Sequence, residues 1–213
     1  MQKGILVFGV CQLTKGALEI FHQNNVMVYG ILEDEAKWHH MEIVTIPVLG
    51  TTDHPAFLAL LNESCPAFIA YGNTSKRKSC LEFLATQTQE LPISAIHPTV
   101  SIAREVQLGK GNYIDTRVCL APEVRIGSYC ILHSGVVIEA ETKIHDWVQI
   151  GSGSVLGTGV TIEEEVFIGP GVTVVSGVTI QKRASIGAGS VVLGNVKAGD
   201  ILLGNPAKSI KKT

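Results

Sequence analysis

The sequence lacks a basic excess. Lys and Arg total 17 against 19 Asp and Glu, a formal net charge of −2, which argues against a nucleic-acid binder. The single basic cluster, KSIKKT at the end, reads as a solvated tail. No apolar run approaches the roughly 20 residues that cross a bilayer, so an integral helical membrane protein is excluded. The opening MQKGILVFGV carries one short apolar run with no small-residue cleavage site after it, and reads as a strand rather than a signal peptide. Charged residues make up only 17% of the chain but the apolar set reaches 46%, which excludes general disorder. The five cysteines, Cys11, Cys65, Cys80, Cys119 and Cys130, are odd in number and have no CxxC spacing. They form neither a disulfide framework nor a zinc knuckle and suit buried thiols in a reducing cytoplasm. Glycine is scarce at first: six of 22 lie before residue 96 and sixteen after, whereas eight of the twelve aromatics lie before. Two halves with different construction rules share the chain.

What the second half has is a period of six. From Ile96 through Ile126, Ile150 and Ile180 to Val192, all seventeen residues taken in steps of six are aliphatic. Four residues after each stands a small or β-branched residue, eleven of them Val, with Asn112 as the exception. Six fits neither a helix nor a long alternating strand. It fits a short strand and a turn, repeated as the flat sides of a prism, with the aliphatic and the small residue both pointing inward and glycine favoured at the corners. Three sides make a coil, coils stack about 4.8 Å apart, and the end coils need caps. The expected fold of residues 93–213 is a hexapeptide parallel β-helix. Outward positions such as Val137, Val175 and Tyr129 give apolar walls suited to self-association.

The first half, residues 1–92, reads as a small α/β domain. Strands are expected at 4–10, 26–32, 43–48 and 67–71, and helices at 15–24, 54–62 and 75–86, the last opened by Asn73, Thr74 and Ser75 as capping candidates. The alternation implies a small Rossmann-like parallel sheet. Ligands of such sheets sit beyond the carboxyl ends of the strands, here near Gly9-Val10-Cys11, Glu33-Asp34 and Gly72-Asn73. The stretch Thr88–Pro92 reads as a linker. Trp38, His39 and His40 read as loop surface, and Glu163-Glu164-Glu165 as a solvated corner.

The chain resembles the two-domain hexapeptide acyltransferases that modify sugars, the sialic-acid O-acetyltransferases and UDP-amino-sugar N-acetyltransferases. The likeness runs from the first strand ending at Gly9, through Leu32-Glu33-Asp34, Gly72-Asn73 with Arg77-Lys78, and His97-Pro98, to Ile186–Val191 and Gly204-Asn205-Pro206-Ala207-Lys208. The resemblance implies a left-handed β-helix, a homotrimer, and acetyl-CoA as co-substrate in a groove between subunits. It also implies a first domain that holds the nucleotide part of a sugar substrate through Gly9, Glu33, Asp34, Gly72 and Asn73. Family contacts to the coenzyme fall on Gln149, Pro170, Ala188, Asn205 and Pro206; the tail residues Lys208, Lys211 and Lys212 could meet its phosphates, against the plainer reading of lysines that meet only water. The family's catalytic histidine, set between two acidic residues, is replaced by Ala140 in Glu139-Ala140-Glu141. A second family histidine corresponds to Gln149.

Acyl transfer from a thioester needs a positioned nucleophile, a base and an oxyanion donor. With Ala140 unable to take a proton, His133 and His145 become the candidate bases, both expected to face outward on the wall where subunits meet, and Asp146 follows His145. Glu141 could instead polarise an amine. The backbone N–H groups of a glycine corner suit the oxyanion. Gly151, Gly169 and Gly187, one coil apart, fit either corner geometry or a groove for a pantetheine arm. Three readings stay open: a cytoplasmic acetyltransferase acting on a sugar amine or hydroxyl, a catalytically impaired trimer that binds or scaffolds, and a γ-carbonic-anhydrase-like metal protein. Against the last, His97 and His133 stand two coils apart, roughly 10 Å along the axis, and zinc–nitrogen bonds are about 2 Å.

Overall fold

The computed structural model describes residues 4–61 and 65–210. By internal contacts the chain divides between Pro98 and Thr99. The first unit contains β1 (Ile5–Phe8), α1 (Gln12–Gln23), β2 (Val28–Leu32), β3 (Glu42–Ile43), β4 (Ile46–Gly50), α2 (Pro55–Leu61), β5 (Ala67–Ile69) and α3 (Thr74–Gln87). The sheet order is β3-β4-β2-β1-β5, with β1, β2, β4 and β5 parallel. Its central strand is wholly apolar and buried, Ile5, Leu6, Val7 and Phe8, as expected of a strand covered on both faces. The apolar side of α1, Leu13, Ala17, Leu18, Ile20 and Phe21, is buried, and Phe21 meets Phe68 of β5 edge-to-face at 5.3 Å. Asn73 caps α3 by accepting the Lys76 amide at 3.0 Å.

One expected strand is two. The span 43–48 folds as an antiparallel hairpin of β3 and β4 at the sheet edge. Its tip residues Val44 and Thr45 hold φ of 48° and 69°, a left-handed turn built without the glycine or asparagine that announces one.

The second unit is a parallel β-helix of two-residue strands on three walls. Cys119, Val137 and Val155 stand one above the next, so strands pair in parallel with residues eighteen apart. The first wall runs from Tyr113–Ile114 through Ile131–Leu132, Gln149–Ile150 and Phe167–Ile168 to Ser185–Ile186. The second runs from Ser101–Ile102 to Val191–Val192, and the third from Gln107–Leu108 to Thr179–Ile180. Coil-to-coil bonds within a wall are regular, for instance Cys119 N to Val136 O at 2.9 Å and Ala121 N to Ile138 O at 2.9 Å. Every aliphatic step of the period from Ile114 to Val192 is buried, as is every small residue four on from Asn112 to Val196. Asn112, the exception in pattern, is satisfied inside: its amide donates to Gly109 O and Gly127 O and accepts the Cys130 amide at 2.7 Å.

The corners obey a rule that is only partly about glycine. Every sixth residue from Glu105 to Gly189 has a positive φ, eight of the fifteen being non-glycine. Gly151 and Gly169 answer a different demand: a Cβ on either would press into the backbone of the coil above, at Pro170 and Ala188. Of the residues expected on flat walls, only Val137 lies on a strand; Tyr129 is a corner residue and Val175 follows a strand into one. Tyr129 stacks on Trp147 with centroids 4.4 Å apart.

Candidate active site

In the first unit the C-terminal ends of β2, β4 and β5 and the side of α3 enclose a cavity of about 520 Å³. It is lined by Glu33, Asp34, Glu35, Thr52, Tyr71, Lys76 and neighbours on α3. Glu33, 3% exposed, is committed to the backbone: it accepts the amides of Val10 at 2.7 Å, Asp34 at 2.9 Å and Glu35 at 3.2 Å. Its carbonyl accepts His39 Nε2 at 2.7 Å, so His39 has a structural task that a loop-surface reading missed. Asp34 is exposed, and one of its oxygens takes both the Thr52 amide and hydroxyl, at 2.9 and 2.8 Å. Lys76 lies over the Tyr71 ring at 5.7 Å and 3.6 Å from Glu35. Burial, then the charges of Glu33 and its neighbours, pushes the Tyr71 hydroxyl above its ordinary range, so it serves as a neutral donor. Lys37, and behind it Lys76, holds the Glu35 carboxyl below the usual carboxylate range.

Of the five first-unit positions expected at a ligand, Glu33 and Asp34 line the cavity. Gly9 and Gly72 do not line it, and Asn73 is engaged as a helix cap. Gly9 has φ of 107° and lies under the Tyr71 ring, where a Cβ would collide. Its turn is closed by Thr14, whose hydroxyl donates to Gly9 O at 3.0 Å and accepts the Cys11 amide at 2.9 Å. Tyr71, Thr52 and Lys76 were missed, because nothing in their local pattern marks them; the parallel order of the strands brings them together. Burial pushes the thiols of Cys65 and Cys80 up to about 11 and about 12, and all five cysteines are free.

The candidate residues of the β-helix separate onto its three edges. His133 follows the first wall, Glu139-Ala140-Glu141 the second, and His145 the third. The two histidines therefore do not share one wall. On the first edge His133 is half-buried, and its Nε2 lies 3.4 Å from Gln149 Nε2. Burial lowers its pKa below the ordinary histidine value against an opposing pull from Asp115, which keeps the imidazole neutral and able to accept a proton. Pro170 and Ala188 continue this edge in the coils above. His145 is exposed; its Nδ1 is 3.4 Å from Glu164. The acidic corner is partnered rather than merely solvated, since Glu163 accepts the Lys182 amide at 2.9 Å and Glu165 meets Arg183 at 3.4 Å.

The glycine amides of the first edge are not available to an oxyanion. Gly151, Gly169 and Gly187 donate to Ile168, Ile186 and Leu202 at 2.7 to 2.8 Å. Among the described residues, the exposed Ser152 and Ala188 amides have no hydrogen-bond partner. Asn205 and Pro206 lie exposed in the turn before the final strand Lys208–Ser209, tied down by the Ala207 amide on Val191 O at 2.8 Å. Lys211 and Lys212 lie outside the described residues. Among the described residues, no three His, Cys, Asp or Glu side chains converge as metal ligands, and no helix is long and apolar enough to cross a membrane.

Two family models match: the GMPPB C-terminal domain over residues 86–169, and the bacterial transferase hexapeptide (six repeats) over 159–194. No curated protein sequence matches the chain. Among solved structures the chain is similar to a histidine-to-alanine variant of GDP-perosamine N-acetyltransferase from Caulobacter crescentus, in complex with CoA and GDP-perosamine. The TM-score is 0.90 at 26% identity, covering 100% of this chain and 99% of that one. It also shares its fold with the acetyltransferase domain of PglB from Neisseria gonorrhoeae, in complex with acetyl coenzyme A, at a TM-score of 0.87 and 22% identity over 99% and 100% of the two chains. WeeI from Acinetobacter baumannii matches at 0.82 and 22% over 98% and 100%. With an α/β unit, a hexapeptide solenoid and an end-to-end match of both, this chain is similar over its whole length to a two-domain hexapeptide-repeat sugar N-acetyltransferase.

Proposed function

We propose that this protein transfers the acetyl group of acetyl-CoA to the amine of a nucleotide-linked sugar, with His133 as the general base. The observation that carries the reading is the full-length likeness to a GDP-perosamine N-acetyltransferase held with CoA and GDP-perosamine. Two features of this chain support it. The acidic cavity of the first unit, with Asp34 anchored on Thr52, offers acceptors to the hydroxyls of a nucleoside. The first edge of the β-helix gathers a neutral imidazole, Gln149, and the unpaired amides of Ser152 and Ala188.

In this reading the coenzyme lies along the first edge, past Pro170 and Ala188 towards Asn205, Pro206 and Lys208. The flat glycine column lets its arm lie against backbone. The amine attacks the thioester carbon while His133 takes its proton; exposed amides stabilise the oxyanion; the C–S bond breaks and CoA leaves as the thiol. A base so placed contributes roughly 10²–10⁴-fold. Glu141 and His145 belong to other edges, so either joins His133 only across a boundary between copies, and a homotrimer is part of the proposal. A reducing, cytoplasmic compartment completes it, in keeping with five free thiols.

The test is release of free thiol from acetyl-CoA in the presence of a panel of UDP- and GDP-linked amino sugars, with CoA binding followed by calorimetry. Thiol release that depends on one acceptor is expected. Binding of CoA with no release on any acceptor would overturn the enzyme reading in favour of a trimeric binding or scaffold protein.

A further inference from the structure

One coil beneath His133, at the same place in the repeat, stands Asp115; in the coils above that place is taken by Gly151, Gly169 and Gly187. The stacking of the edge does not depend on the carboxylate. Backbone bonds already join Asp115 N to Leu132 O at 2.9 Å and His133 N to Ile150 O at 3.0 Å. The carboxylate is nevertheless held by two donors. Oδ1 accepts the Thr116 amide at 2.7 Å and Oδ2 accepts the Ser134 hydroxyl at 2.8 Å, with Tyr113 beside the same group. Tyr113 is 4% exposed and its ring stands edge-on to the His133 ring, centroids 6.2 Å apart. Burial, then Asp115, pushes the Tyr113 hydroxyl up, so it remains a donor. Gln149 approaches His133 at Nε2 from the coil above. The imidazole is thus bracketed by a neutral amide on one side and a fixed anion on the other.

We infer that Asp115 is a positioning residue for His133, holding the imidazole with Nε2 towards the Gln149 side and stabilising the imidazolium formed when His133 takes the acceptor's proton. This inference rests on His133 being the base. The proton moves from the amine to His133 and then to the departing CoA sulfur; Asp115 stays ionised throughout, as an orienting carboxylate does. The titratable and charged groups of the β-helix that face His133 are Asp115 and Tyr113 from the coil beneath; above it stand only the neutral Gln149 and Gly151.

The experiment follows the His133 ring by NMR titration of the ligand-free protein, its signal identified by its loss in His133→Ala. Asp115→Asn keeps an acceptor for the Thr116 amide, and Asp115→Ser supplies a second neutral variant should the first fail to fold. Removing the anion is expected to move the His133 midpoint to lower pH in either variant, with Asp115→Glu restoring it. In the thiol-release assay kcat should fall by about tenfold or more, while the acid limb of kcat/KM moves to lower pH with the midpoint. A midpoint unmoved in both neutral variants, or a fall in rate with no displacement of the acid limb, overturns the inference. Full turnover by His133→Ala would instead remove the base reading, and with it the catalytic role of Asp115, while the titration would still report their coupling.

Discussion

His133 and His145 are twelve residues apart and occupy the same position in the hexapeptide, each directly after a buried aliphatic. Their surroundings differ all the same. His133 has Asp115 below, glycine above and Gln149 beside it, and burial lowers its pKa. His145 has Gly127 below, stands 47% exposed, and meets an equally exposed Glu164. The environment of a β-helix corner is therefore set by residues eighteen positions away rather than by its immediate neighbours.

The sharpest way to break this comparison is to remove each imidazole in turn. His133→Ala is expected to cost roughly 10²–10⁴ in kcat, and His145→Ala to leave kcat within about twofold; equal losses would erase the distinction. Next comes the packing of the first edge. Gly151→Ala drives a Cβ into the Pro170 backbone, whereas Gly153→Ala meets open space at φ of 69°. Thermal or urea unfolding should show a loss of about 1–3 kcal/mol for the first and about 1 kcal/mol for the second. The smallest effect concerns pH. His133 has a lower pKa folded than unfolded, so the folded state resists protonation there. Its contribution to stability is present above the unfolded histidine pKa and is lost as pH falls below about 6.5. The fall in melting temperature from pH 8 to pH 5 should be shallower in His133→Ala. Glu164→Gln, acting on a solvent-screened pair, should change stability by less than about 1 kcal/mol at either pH.

The two units were legible to different depths for a physical reason. In the β-helix, depth depends on position modulo six, so Ile150 and Val160 could be placed in the core from spacing alone, and both are fully buried. In the α/β unit, β1 and α1 announced themselves by apolar runs. The β3–β4 hairpin did not, since Val44 and Thr45 carry no turn chemistry and their geometry is imposed by pairing. Glu33 was recognised as a site position, yet its main task is to hold three amides. The glycine corners were read as oxyanion donors, but their amides are spent on the next coil. Asp115 drew no notice in the sequence, because its partners Tyr113, Ser134 and His133 meet only once the coils are wound.

The fifteen left-handed corners, more than half of them non-glycine, give this scaffold an address system. A side chain transplanted by six residues keeps its depth and its angle to the chain and changes only which rim of the column displays it; transplanted by eighteen, it keeps the rim and climbs one storey. Chemistry can therefore be relocated among three equivalent rims without disturbing the interior that supports them all.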